Sequence, residues 1–190
     1  MLPSGVIMAA RGQWIAVVVI VTVLVGALVA GVALSPELRP VRPGSKAPDF
    51  EAVDVATGQT VTLADYSGQV VLLNLWATWC PPCEQEMPSM QRLQEQLGSK
   101  GLKVVAVSVD ALDSKDVLAW VRERNFTFDV LHHRGGRLER LYQTTGLPES
   151  FVVDRDGVIV KKEIGAREWD SPSQGAFFLR LLEQAGDPQE

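Results

Sequence analysis

Residues 70–88 read VVLLNLWATWCPPCEQEMP. Seven residues, Val70–Trp76, form a short apolar run bounded by turn residues, which is the pattern of a buried central strand. Four residues after Trp76 stands Cys80, followed by Pro81, Pro82 and Cys83, and the two cysteines are the only ones of the chain. Met87, Met90, Leu93 and Leu97 then recur at helical spacing, and Gly98 is positioned to stop that helix. A buried strand therefore feeds into an amphipathic helix with both sulfurs at the join.

Working outward, Lys103–Val109 is a second buried strand. Ser114–Arg124 reads as a helix, with Asp113 and Asp116 placed to cap its first turn. Phe151–Val153 and Val158–Val160 flank Asp154-Arg155-Asp156-Gly157, a hairpin turn with glycine where positive φ is needed. Phe177–Leu182 makes a closing helix. Strands alternating with helices and ending in a hairpin predict an α/β sandwich with a mixed sheet.

The chain has 190 residues, 46% of them hydrophobic and 22% charged, which suits one globular domain plus one apolar segment. That segment, WIAVVVIVTVLVGALVAGVAL from Trp14 to Leu34, carries no charge. Its length as a helix, roughly 30 Å, matches a bilayer's hydrocarbon core. Gly31-Val32-Ala33 offers a signal-peptidase pattern, yet the run exceeds the about 7–15 residues of a signal's apolar core. The expected organisation is a short cytoplasmic tail (1–13), a retained transmembrane anchor (14–34), a proline-rich linker (35–48) and a folded domain (49–186). Arg11 lies on one side of the anchor, and Arg39, Arg42 and Lys46 on the other. A literal count of basic residues thus opposes export, whereas a short tail before a single anchor behaves as an uncleaved signal; export of the domain is the expectation. All 23 acidic residues and 17 of the 18 basic ones follow residue 34, leaving the exported part at 17 − 23 = −6. That charge supports solubility and argues against a nucleic-acid partner.

A C-x-x-C pair has several chemistries. Structural zinc needs four ligands, and the chain offers no second cysteine pair, only the adjacent His132 and His133. A purely structural disulfide closing so small a loop would constrain the unfolded chain little. The redox reading fits the surroundings. The strand delivers Cys80 to the carboxyl edge of the sheet, and the helix beginning there favours its thiolate. Cys80 is the candidate nucleophile, and Cys83, one turn deeper, the candidate resolving thiol. Pro81 and Pro82 hold helical φ in a first turn and remove two backbone donors from the neighbourhood of Cys80. A thiolate with fewer donors is stabilised less, which favours a reducing couple over a strong oxidant.

TWCPPC, the upstream NLWA, Pro88 and the later GLPESF together resemble the thioredoxin superfamily, and within it the membrane-anchored TlpA/ResA/CcmG-like thiol–disulfide oxidoreductases of bacterial envelopes. The similarity covers roughly residues 44–186. It implies a thioredoxin-like sandwich, a central mixed sheet flanked by helices, with the extra TlpA-type insertion at about 110–145. It also implies a redox-active Cys80–Cys83 disulfide, with Trp76 and Trp79 as the tryptophans flanking the pair. Leu147-Pro148 would be the cis-proline step that faces the disulfide and receives substrate backbone. Glu86 would be the acidic residue near the thiols, able to pass protons and raise thiol pKa from one helical turn away. Thioredoxins proper carry a buried Asp six residues before the first cysteine; here that residue is Asn74, which increases the demand on Glu86.

The resemblance implies reduction of disulfides in exported proteins, such as apocytochrome c during cytochrome c maturation. A CcdA/DsbD-like membrane protein would be the electron donor, with no bound cofactor or metal. Two other activities compete. A thiol peroxidase would want Thr three residues before its cysteine, where this chain has Ala77. A copper metallochaperone would use Cys80, Cys83 and a histidine. Elsewhere, Asp154-x-Asp156-Gly157 reads as a turn rather than a calcium loop. The segment His132-His133-Arg134-Gly135-Gly136-Arg137 reads as a solvated basic loop. Trp120 and Trp169 are expected at the core or its rim, and Gly165 at a close backbone approach near Pro148.

Overall fold

The computed structural model describes residues 4–34 and 40–184. The first element, α1, runs Ser4–Leu34, so the helix begins well before the apolar run. From Trp14 to Gly31 its side chains are exposed all round. A helix apolar on every side has no stripe to bury against a soluble core and is long enough to cross a bilayer. Thr22, a polar residue within the run, donates its hydroxyl to the Val18 carbonyl at 2.8 Å, leaving no hydroxyl hydrogen bond to be found elsewhere.

From Pro40 onward the chain is a separate compact unit built on seven strands. These are β1 (Glu51–Asp54), β2 (Thr60–Thr62), β3 (Val70–Trp76), β4 (Leu102–Ser108), β5 (Asp129–His132), β6 (Glu149–Val153) and β7 (Ile159–Ile164). Their order across the sheet is β2-β1-β5-β4-β3-β6-β7. β3 pairs parallel with β4 and antiparallel with β6, and β4 pairs parallel with β5. The sheet is mixed, as the alternation predicts. The remaining helices are α2 (Pro81–Leu97), α3 (Ser114–Glu123), α4 (Arg137–Leu141) and α5 (Pro172–Gln184).

Every residue of β3 is buried, because helices cover both faces of the sheet. Strand alternation divides its side chains. Val70, Leu72 and Trp76 join Met87, Met90, Leu93 and Leu97 of α2, together with Trp169 and Phe178. Val71, Leu73 and Leu75 join Val105, Val107, Phe151, Leu138 and Tyr142 on the other face. Each such side chain contributes about 1.5–3 kcal/mol by leaving water, so the strand bearing the cysteine turn is among the most firmly held parts of the sheet.

Several expectations change. Gly98 is the C-cap of α2 as expected but keeps right-handed helical angles; a 3-10 turn continues over Gly98–Lys100, and the left-handed residue is Gly101 at φ 101°. Asp113 takes the N-cap position of α3 without capping by its side chain, which pairs instead with Arg134 at 3.0 Å. The second half of the expected linker is not a free tether. Val41 is buried, Gly44 N–H donates to the Ile159 carbonyl and Ile159 N–H to the Ser45 carbonyl, and Ala47 N–H reaches Gly157. His132 is not in a solvated loop. It closes β5, is buried, and has Nδ1 2.8 Å from Ser114 Oγ and Nε2 3.1 Å from the Asp110 carbonyl. Gly157 does adopt positive φ, 75°, in the β6–β7 turn.

Candidate active site

β3 ends at Trp76, and Ala77-Thr78-Trp79 turns the chain into α2. A buried carboxylate clamps this turn. Asp110, just past the parallel neighbour β4, accepts the Thr78 N–H at 2.9 Å, the Thr78 hydroxyl at 2.7 Å and the Ser108 hydroxyl at 2.7 Å. Charge-assisted bonds of this kind are the strong ones, and they fix where α2 begins.

Cys80 is the N-cap of α2, in extended conformation (φ −101°, ψ 98°), and Pro81 and Pro82 occupy the first helical positions. The prolines supply no N–H, so the first donor of the helix is Cys83 N–H, which points at Cys80 Sγ across 3.3 Å. The two cysteines are joined as a disulfide. Cys80 retains 5% exposure and Cys83 none, so the outer sulfur is the one an incoming group meets. Trp79 beside them is 68% exposed. Trp76 is fully buried and packs on Trp120 at 4.9 Å between ring centroids. Arg124 lies 3.8 Å over the Trp120 ring and pairs with Glu84 at 2.8 Å, tying the outer face of α2's first turn to α3.

Glu86 is 1% exposed, not a solvated first-turn acid. Three donors converge on its carboxylate. Asn74 Nδ2 reaches Oε1 at 2.7 Å, while Arg167 N–H and Trp169 Nε1–H reach Oε2 at 3.0 and 3.1 Å. Burial pushes its pKa up from 4.5 to about 7, the three hydrogen bonds and the Arg167 charge pulling the other way. The group therefore titrates where general acid–base chemistry at neutral pH wants it.

Asn74 donates also to Ser150 Oγ at 2.8 Å. Ser150 lies two residues beyond Pro148, and the Leu147–Pro148 peptide bond is cis. Pro148 is buried and Leu147 half-buried. Gly165 N–H donates to the Pro148 carbonyl at 2.8 Å. Gly165 is needed there for its φ of 83°, since a Cβ would meet nothing within 4 Å. The sheet thus links the proline step to Glu86 through Ser150 and Asn74.

Among the described residues no group of three or more His, Cys, Asp or Glu is arranged to hold a metal. Both ring nitrogens of His132 are engaged as described, and Ala77 brings no hydroxyl to the turn before Cys80. Sequence reasoning missed Asp110, Thr78, Ser150, Ser89 and Arg167, and placed Trp169 at the core without a role at the site. The single available signal was Trp169, a lone large aromatic in the polar stretch Ala166–Ser171.

A family model described as the AhpC/TSA family matches residues 43–162. The thiol-disulfide oxidoreductase ResA of Oceanobacillus iheyensis is 35% identical over 156 residues, spanning 80% of this chain and 81% of its own. ResA of Bacillus thuringiensis subsp. konkukian is 36% identical over 63% of this chain and 68% of its own. A crystal structure from Chlorobium tepidum, assigned as thiol:disulfide interchange protein DsbE, superposes with a TM-score of 0.65 at 34% identity, covering 77% of this chain and 99% of that one.

Proposed function

The chain belongs to the AhpC/TSA family and is a thiol–disulfide oxidoreductase of ResA and DsbE type, and from that premise we propose that it is a membrane-anchored reductase of disulfides in exported proteins. The reading assigns residues 14–34 to the membrane and the domain to the extracytoplasmic side. The substrate class is that of cytochrome c maturation, apocytochrome c being the example. A CcdA/DsbD-like membrane protein would return the electrons.

In the proposed cycle the Cys80 thiolate attacks one sulfur of a substrate disulfide. That disulfide breaks, a mixed disulfide forms, and the departing substrate sulfur takes up a proton. Cys83 loses its proton and attacks Cys80 Sγ; the second substrate thiol leaves, and the Cys80–Cys83 disulfide closes. Two electrons have passed from the protein to the substrate. Glu86 is the group proposed to accept the Cys83 proton. Trp79, Leu147 and Pro148 are proposed to receive the substrate backbone, while Trp76, Pro81 and Pro82 fix the turn. The observation that carries the proposal is the pairing of a helix-capping Cys80 with a fully enclosed Cys83 and a buried carboxylate one turn further along.

Equilibration with glutathione tests the direction. A couple near thioredoxin's, about −270 mV, is expected for a reductase; one near DsbA's, about −120 mV, would make it an oxidase and overturn the proposal. In the same assay series Cys80→Ser is expected to abolish insulin-disulfide reduction. Cys83→Ser is expected to accumulate the mixed disulfide.

A further inference from the structure

The carboxylate of Glu86 is not held by its own helix. Both donors to Oε2 come from the segment between β7 and α5, as the Arg167 peptide N–H and the Trp169 indole. That segment is itself fastened to α2. Ser89 Oγ, one turn beyond Glu86, bonds to the Glu86 carbonyl at 2.7 Å and to the Arg167 carbonyl at 3.2 Å, and accepts the Trp169 N–H at 2.9 Å. Further along, Arg92 binds Asp170 and lies 3.6 Å from Glu168. Trp169 is wholly enclosed, its ring 6.3 Å from that of Phe178. A core tryptophan usually finds one partner for its N–H; here the partner is the site's acid.

We propose that Trp169 is a positioning residue for Glu86, and that the 167–170 segment, stapled to α2 through Ser89 and Arg92, orients the carboxylate and favours its anionic, proton-accepting form against the cost of burial. The inference rests on the reading of Glu86 as the acid serving the Cys80–Cys83 couple.

Glu86 faces few other charges. On its own helix there are the two cysteines, and on β3 and β6 the neutral Asn74 and Ser150. From the β7 side come Arg167, whose guanidinium turns to Glu163 at 2.9 Å, and Lys161, 3.0 Å from Glu163. Glu149 alternates to the opposite face of the sheet, where Lys162 pairs with it at 2.6 Å. The indole N–H is therefore one of three donors holding the charge, and the one whose ring is anchored in the core. A hydrogen bond to a charged group favours that charge, so removing it leaves the carboxyl protonated over a wider pH range.

The test uses the full chain in detergent, oxidised and reduced, with the Glu86 carboxyl followed by carbon-13 NMR. Trp169→Phe keeps an apolar ring and deletes the donor. The Glu86 midpoint is expected to rise by about one pH unit, and the pH profile of reductase turnover to shift upward with it. Should that variant fail to fold, Ser89→Ala loosens the same segment and is expected to move the midpoint in the same direction. A folded variant titrating at the wild-type midpoint overturns the inference. Glu86→Gln separates the two layers. If it leaves the turnover profile unchanged, the role of Glu86 itself falls; if it alters the profile while Trp169→Phe does not, only the positioning role of Trp169 falls.

Discussion

Replacing Glu86 by glutamine in the oxidised domain isolates the cost of burying one carboxylate, because disulfide-bonded cysteines do not titrate. In the folded state Glu86 titrates near 7 against an ordinary 4.5. Between those values the native state holds more protons than the unfolded state, so stability falls as pH rises through that window and stays low above it. At about 1.36 kcal/mol per pH unit the full penalty is a little over about 3 kcal/mol. Glutamine keeps an oxygen to accept from Arg167 and Trp169. Its amide would meet Asn74 Nδ2, donor against donor, but Asn74 Oδ1 is buried without a hydrogen-bond partner. A flip of the Asn74 amide turns that oxygen toward the glutamine and still lets Ser150 donate. The variant therefore loses little at pH 5, where Glu86 is largely protonated. Urea unfolding of residues 40–190 at pH 5 and pH 8.5 measures both proteins. The wild type is expected to lose about 3 kcal/mol more than Glu86→Gln on going up in pH, contributions common to both proteins cancelling in the comparison. A difference below about 0.5 kcal/mol would be surface-like and would refute the buried-acid argument.

Asn74→Asp places a second carboxylate where Nδ2 now sits 2.7 Å from Glu86 Oε1. The pair is expected to share one proton to above pH 8, with a stability loss larger at pH 8 than at pH 5 in the same urea titrations. Asp110→Ala strips the Thr78 N–H, the Thr78 hydroxyl and the Ser108 hydroxyl of their acceptor. It is expected to cost about 3 kcal/mol by denaturation and to slow insulin reduction, since the turn before Cys80 is released. Starting the domain at Asp49 rather than Pro40 removes Val41 and the backbone bonds of Gly44, Ser45 and Ala47. It is expected to lower stability by about 2 kcal/mol, seen as a lower melting temperature, with activity retained.

The elements legible in the sequence are those that carry their own pattern. β3 is an apolar run interrupted only by Asn74 and α2 repeats every three to four residues, so both were foreseen within a residue or two. Glu86 was reached through the family resemblance, its three-residue offset from Cys83 placing it on the same helix face. β1 and β2 were not foreseen, because Ala52 is the one fully buried residue in their seven; neighbouring strands hold them, not an intrinsic alternation. His132 misled for a related reason. His-His-Arg reads as a basic loop, yet strand alternation turns its first member inward, where Ser114 and Asp110 engage both ring nitrogens. Gly98 looked like a helix stop because glycine is common at that position, but the left-handed residue is Gly101, three further on. Trp169 was legible as a core residue but its role was not: its partner is 83 positions away, and nothing local marks an indole as a donor to a particular acid.

The placement of the acid has a physical logic. A carboxylate at position 74, on the central strand, would be enclosed between the sheet and α2, with the Ser150 hydroxyl of β6 as the donor at hand. Asparagine there is neutral and supplies donors, to Glu86 and to Ser150 at once. The charge is moved to the helix, where a loop peptide and an indole can approach from outside the sheet. That arrangement makes the acid's proton affinity depend on the segment between β7 and α5, outside the C-x-x-C turn.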